Sequence, residues 1–342
     1  MRFAVLAMIA TLMPVLAMAQ DDCPAAPEPV LSLDFDSRYA QDDESRSEID
    51  ADGAADAGAA LEPVDDFLRD LTRQANAVFD PDADAGAIAD CVLAQIASWA
   101  QAGALAELGS ETARITFGSR LAGFALVLME VEPHATTSGD LNLAKTWLAG
   151  MAARNVDFWE VDASEGARSG NLRAWAALGV AATAAVADDG AMRLWAAWST
   201  TWVLCSASPD GSLPQEMRRG RLALHYQLHA IAPLVVTALL LERQGLPVHD
   251  ICDGALSRVV RFAVDDLAAE GRASRAITGE AQNLFDGSDE VEEFQLAWIE
   301  AYLQLPDDGS HSRLDAMAAP LRPLNYSKLG GNQTALWGEA AP

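Results

Sequence analysis

The sequence predicts an all-α fold in which antiparallel helix hairpins form a ring or solenoid. Three observations predict it. Apolar residues recur at spacings of three and four along most of the chain, no convincing alternating run marks a strand, and the separators are short Gly, Asp and Pro clusters. About nine or ten helices on short turns pack as antiparallel pairs, and that number suits a ring of hairpins better than one bundle. With 51% hydrophobic residues the chain can bury a large core.

The first segment is not part of that fold. Arg2 precedes an apolar run, Phe3 to Leu16, which ends in Ala17, Met18 and Ala19, the small-residue pattern of a secretory cleavage site. Cleavage after Ala19 leaves residues 20–342 as a single domain, exported to the periplasm or secreted. No later stretch reads as long and uncharged enough to cross a bilayer, so no membrane insertion is expected after cleavage. Residues 34–62 are crowded with Asp and Glu among Gly and Ala, and read as a solvated acidic loop that can serve as a lid.

From Pro63 the pattern turns helical. Val64, Phe67, Leu68, Leu71, Ala75 and Val78 share one helix face, and Ile88, Val92, Ile96 and Trp99 a second, with Gly103 as a stop. Helical runs follow at 111–131, 141–159, 171–187, 191–206, 211–243, 249–269 and 292–303. The run from Gly211 opens with Ser212 and Gln215 at capping-box spacing and with Pro214 in the first turn. Leu224, Leu228, Ile231, Val235 and Leu239 make its core stripe, and Pro233 predicts a kink. Arg219 and Tyr226, seven apart, share a different face of the same helix.

The charge balance, 23 Lys and Arg against 50 Asp and Glu, gives a net of −27 and excludes nucleic acid and anionic membrane surfaces as partners. An acidic polymer is still admitted, because a basic cleft can sit inside an acidic shell. Cys23, Cys91, Cys205 and Cys252 are an even number in an exported chain, which favours two disulfides over a metal site. Their spacing leaves the connectivity open. Trp195, Trp198 and Trp202 recur at helical spacing and read as core. His225 and His229 stand at i and i+4 but lack a third ligand, and the acidic turn Asp286, Asp289, Glu290, Glu292, Glu293 reads as solvated. Neither is taken as a metal site, and no cofactor is expected.

Several segments, in one order across nearly the whole mature chain, resemble the alginate lyases that cleave poly(β-D-mannuronate), polysaccharide lyase family 5. Cys23-Pro24 resembles the family's cysteine-proline segment, and Phe35-Asp36-Ser37-Arg38-Tyr39 its Phe-Thr-Ser-Lys-Tyr segment leading into a lid loop. Cys91 with the run Trp99 to Leu105 resembles its Cys and Trp-Ala-Arg-Ala-Gly-Ala-Leu. Gly211 to Pro214, Arg219, and Ala223 to Tyr226 resemble its Gly-Phe-Leu-Pro, Arg and Ala-Leu-Ala-Tyr pattern. Ala297 to Glu300 and Lys328 to Gly331 resemble its Ala-Trp-Leu-Glu and Arg-Leu-Gly-Gly. The resemblance implies an incomplete (α/α) toroid around a long cleft, with no cofactor, acting on an anionic polysaccharide as a monomer. It also implies a Cys23–Cys91 disulfide, which leaves Cys205 with Cys252.

The implied chemistry is β-elimination, which requires a neutralised C5 carboxylate, a base for the C5 proton and an acid for the departing 4-oxygen. Carried over by position, the catalytic residues are Tyr226, Arg219 and Asn171; Lys328, Arg38, Tyr39 and Trp175 are expected substrate contacts, and Arg173 is a candidate to take over from the family's histidine in neutralising the carboxylate. A cation beside a phenol favours its ionised form, which suits Arg219 near Tyr226. The chain departs from the family at one point. Where the family reads Asn-Asn-His-Ser-Tyr-Trp, this chain has Gly170-Asn171-Leu172-Arg173-Ala174-Trp175, and Leu172 can neither take nor give a proton. In β-D-mannuronate the C5 proton and the leaving oxygen lie on the same side of the ring, so one tyrosine can serve as base and acid. Glucuronate shares that geometry, whereas guluronate does not. The expectation is syn β-elimination of a mannuronate or glucuronan polymer by Tyr226. The alternative is a periplasmic polyuronate-binding protein that has lost catalysis.

Overall fold

The computed structural model describes residues 23–338. The expected signal peptide lies outside the described residues. The long helices are α1 (Ala51–Ala75), α2 (Ala85–Ala102), α3 (Glu111–Thr116), α4 (Gly118–Val131), α5 (Ser138–Val161), α6 (Asn171–Ala187) and α7 (Gly190–Leu204), followed by the single turn α8 (Pro214–Met217). Then come α9 (Ala223–Arg243), α10 (Ile251–Ala268), α11 (Arg272–Thr278), α12 (Ile299–Tyr302), α13 (His311–Ala318) and α14 (Gln333–Trp337).

These helices pack in two layers. An inner succession runs α1, α4, α6, α9, α12, each touching the next, and an outer succession runs α2, α5, α7, α10. Each inner helix also packs against its outer partner: α1 on α2, α4 on α5, α6 on α7, α9 on α10 and α12 on α13. This is the incomplete (α/α) toroid. The segment Asn325–Asn332 returns from the end of the chain to α1 and α4, across the open side of the ring.

The inner helices are apolar nearly all round because both faces are covered. On α9, Leu224, Leu228, Ile231 and Val235 are fully buried, as the stripe predicts, and so are Leu234 and Val236 on its other faces. Residues Gly220–Arg243 are long and apolar enough to cross a membrane, contrary to the sequence expectation, but 89% of their apolar window is buried inside the ring. The helix is therefore fully used as a core element. Close approach of α4 and α6 depends on Gly118, where a Cβ would lie 2.6 Å from the Ala176 nitrogen.

Several expectations are corrected. Much of the acidic loop is helix: α1 begins at Ala51, with Asp50 as N-cap accepting from the Gly53 N–H, and runs through Pro63. Its exposed acidic face is compatible with solvent, and its buried face carries Ala57 before the stripe that begins at Val64. Trp198 and Trp202 are about half exposed rather than core, because α7 is an outer helix and they lie on its solvent side. Among the described residues four two-residue strands occur, Ser32–Leu33 pairing in parallel with Glu107–Leu108 and Asn325–Tyr326 antiparallel with Gly331–Asn332. Cys23 is bonded to Cys91 and Cys205 to Cys252, as the resemblance implies.

Candidate active site

The run 211–243 is not one helix. Ser212 does not cap it, since its hydroxyl donates to Asp210, and the chain makes the turn α8, a 3-10 turn at Gly220–Leu222 and only then α9. Gly220 takes a positive φ of 53°, a conformation L side chains resist, and this reverses the chain between Arg219 and α9. Buried amides satisfy the backbone at both ends of the segment that precedes α9. Gln282 accepts from the Leu224 N–H and donates to the Gly220 carbonyl, while Gln227 accepts from the Leu213 N–H and donates to the Gly211 carbonyl.

Arg219 and Tyr226 still meet, by tertiary placement rather than helical spacing. The Arg219 guanidinium carbon lies 3.9 Å from the centre of the Tyr226 ring and 4.7 Å from that of Tyr39. Nε and Nη2 of Arg219 are buried without a protein partner, so both donors are free for a ligand. The segment before α1 reaches over the pair: Arg38 Nη2 donates to the Tyr226 hydroxyl at 2.9 Å, and the Tyr39 hydroxyl contacts the same oxygen. Arg38 also donates to the Tyr39 hydroxyl. Donors directed at a phenol oxygen favour its ionised form.

Asn171 opens α6 and is 5% exposed. Its backbone N–H and side-chain Nδ2 both donate to Glu216 of α8, at 2.7 and 2.8 Å, and its Oδ1 has no partner. The N-terminus of α6 is thus joined to α8, the turn that leads into Arg219. Burial raises the Glu216 carboxyl to about 7.

Lys328, on the returning C-terminal segment, lies 3.8 Å from Asp65, which Arg120 holds through two contacts of 2.9 and 2.7 Å. Burial and the Arg120 charge pull Lys328 down to about 8. Tyr326 stands between this group and α6, edge-on to Trp175. Arg219, Arg120 and Lys328 are buried or half-buried cations within an acidic molecule, and the exposed Arg38 reaches in to Tyr226.

Two expected substrate contacts are corrected. Arg173 points to the outer layer, where Glu160 and Ser199 hold it at 2.9 and 3.1 Å. On a helix it lies two residues from Asn171 and so on another face. Trp175 is 2% exposed, leaving no face for a sugar to stack on, and its indole N–H donates to His229 Nε2 at 3.0 Å. Indole is a donor only, so His229 carries its proton on Nδ1 and is neutral, and burial holds its pKa well below the ordinary value. Leu172 packs with Phe158, Trp159 and Ala176 in a small apolar cluster.

The histidines nearest Tyr226 come from its own helix, with ring centres at 5.2 Å for His225 and 6.1 Å for His229. His225 faces Gln295 and Asp289, and burial lowers its pKa. Among the described residues no cluster of His, Cys, Asp and Glu is arranged to hold a metal ion. Sequence reasoning missed Glu216, Arg120 and Asp65. Arg120 left a trace, the one basic residue in the apolar run of α4, whereas nothing in the sequence marked Glu216.

Comparison with known proteins bears on the family and the fold. Residues 34–273 match the family model described as alginate lyase. A polysaccharide lyase of Stenotrophomonas maltophilia is 29% identical over 97% of this chain and 95% of its own length. An alginate lyase of Pseudomonas syringae pv. syringae is 26% identical over 92% and 82%. Among solved structures, a histidine-to-alanine variant of alginate lyase A1-III complexed with a tetrasaccharide superposes with a TM-score of 0.76 at 19% identity, covering 93% of this chain and 86% of that one. Alginate lyase A1-III from Sphingomonas species A1 superposes with a TM-score of 0.71 at 19% identity, over 92% and 86%. At that identity the likeness is one of fold.

Proposed function

The chain belongs to the alginate lyase family, and from that premise we propose that this polysaccharide lyase cuts a β-1,4-linked uronate polymer, mannuronate-type alginate or glucuronan, by syn β-elimination at Tyr226. The observation that carries the reading is the convergence of Arg38, Tyr39 and Arg219 on the Tyr226 phenol.

Arg219, with two free donors, receives the C5 carboxylate, assisted by Asn171. This neutralisation acidifies the C5 proton, and the Tyr226 phenolate, favoured by its donors, removes it. The C5–H electron pair becomes the C4–C5 double bond, the C4–O4 bond breaks, and the leaving oxygen takes the proton back from Tyr226. One group serves both transfers because both reacting atoms lie on the same side of a mannuronate or glucuronate ring. Guluronate needs a second group on the opposite side, and Leu172 offers none. Lys328 supplies positive charge for a neighbouring carboxylate of the polymer. The Arg38–Tyr39 segment acts as the lid, exchanging its contacts with Tyr226 for contacts with substrate. Two disulfides suit an exported chain maturing in an oxidising compartment.

The test is incubation of the mature protein with polymannuronate, polyglucuronate and polyguluronate, following ultraviolet absorbance of the unsaturated product. Absorbance is expected with either or both of the first two and little with the third. Binding of the polymers without absorbance refutes the lyase reading and leaves a polyuronate-binding protein.

A further inference from the structure

We propose that Glu216 is a positioning residue whose proton decides which end of the Asn171 amide meets the substrate carboxylate. The proposal rests on the lyase reading above and adds a residue and a switch to it.

Glu216 is fully buried, and its two oxygens accept from the backbone N–H and the Nδ2 of Asn171. It presses on the chain as it enters α6: a Cβ on Gly170 would lie 2.7 Å from Glu216 Oε1. In this arrangement Asn171 Oδ1, an acceptor, is the buried atom left without a partner, and Arg219, whose backbone N–H bonds the Glu216 carbonyl, also has Nε and Nη2 free. Two donors and a lone acceptor are a poor cradle for a carboxylate, because the acceptor repels it.

One proton on Glu216 removes the conflict. The O–H formed at Oε2 is a weaker acceptor for Nδ2 and has gained a donor, which Oδ1 accepts from once the amide makes a half-turn about χ2. The 2.8 Å separation serves either arrangement. The backbone N–H still donates to Oε1. The Asn171 NH2 then faces the cleft beside Arg219, and every group at the carboxylate position is a donor. The proton comes from solvent, and no covalent bond between heavy atoms changes.

The switch lies in the neutral range, since burial raises Glu216 to about 7. Arg219 is the charged group that faces it and works against that rise. From α6, Arg173 is turned away to Glu160. From α9, Tyr226, His225 and His229 are close, and burial lowers the pKa of both imidazoles. From α11, Arg272 and Arg275 are exposed. The competent form is the protonated one, so substrate binding is complete below pH 7 and is lost as pH rises through it.

The experiment is the pH profile of kcat/KM from pH 5.5 to 9 for the wild type, Glu216→Gln and Asn171→Ala. In the wild type a falling limb near pH 7 is expected, about tenfold between pH 6 and pH 8, as the competent fraction shrinks. In Glu216→Gln the amide donates permanently to Oδ1, so the limb near pH 7 disappears and only the shallower loss set by Lys328 near pH 8 remains. Asn171→Ala also loses the limb, at lower activity throughout, because Glu216 acts only through Asn171. A wild type without the limb, or its persistence in either variant, overturns the proposal. If circular dichroism shows Glu216→Gln unfolded, the Asn171→Ala profile decides. If no polyuronate is cleaved at any pH, the lyase reading has failed by itself. Calorimetric titration of a uronate oligosaccharide over the same range then decides the role of Glu216.

Discussion

Tyr226 carries both proton transfers of the proposed reaction, and its hydroxyl receives Arg38 directly while Arg219 lies against its ring. Tyr226→Phe removes one oxygen from a ring that is 7% exposed, so the fold is expected to persist, at a cost of about 1 kcal/mol for the lost hydrogen bonds. Activity on polyuronate is expected to fall about 10³-fold or more, since base and acid vanish together. Initial rates by ultraviolet absorbance, beside far-ultraviolet circular dichroism of the same sample, check both halves. A variant that keeps full activity refutes the role assigned to Tyr226. Most individual residues of this site were legible in the sequence. Tyr226, Arg219, Asn171, Arg38, Tyr39 and Lys328 all came from short motifs, and the structure brings them to one end of the ring. Arg173 and Trp175 came from the same motif as Asn171, but on a helix only part of a six-residue motif can face one cleft.

At the scale of elements, the sequence located the long helices and misread their ends. The run from Gly211 to Arg243 has helical spacing throughout, yet it breaks at Gly220, where buried Gln282 satisfies the Gly220 carbonyl and the Leu224 N–H from a distant segment. No local pattern announces a break whose partners stand 58 residues away. The contact between α4 and α6 shows the same dependence on remote neighbours. Gly118→Ala would push a Cβ onto the backbone of Ala176, which cannot yield as a flexible side chain would. A loss of about 1–3 kcal/mol is expected. Gly58→Ala, in the middle of α1 with nothing within 4 Å, is expected to gain about 0.5–1 kcal/mol. Urea denaturation midpoints should move in opposite directions, and a shared direction would refute the packing account.

For the whole molecule, the ring is an open series of hairpins held at two points by covalent links. Cys23–Cys91 spans 68 residues and ties the N-terminal segment, which continues into Arg38 and Tyr39, to the outer helix α2; Cys205–Cys252 spans 47 and joins the end of α7 to the start of α10. By loop entropy each stabilises the fold by about 4 kcal/mol. Paired Cys→Ser replacement should therefore lower the unfolding midpoint in both cases. Only loss of Cys23–Cys91 should also reduce kcat/KM at temperatures where both variants are folded, because it frees the segment that leads to the lid. Equal activity of the two variants would refute that link. The sequence by itself determined the helical class, the family and the identity of most polar groups, because helical periodicity and short motifs are local properties of a chain. It also permitted a basic cleft despite a net charge of −27, without locating it. Tertiary structure alone decided that Arg219 meets Tyr226 across a break, that Trp198 and Trp202 face solvent and that Arg173 turns away from the cleft. It alone buried Glu216 against Asn171, 45 residues away in sequence. Burial and pairing between distant segments set these outcomes, and neither is written in the residues on either side.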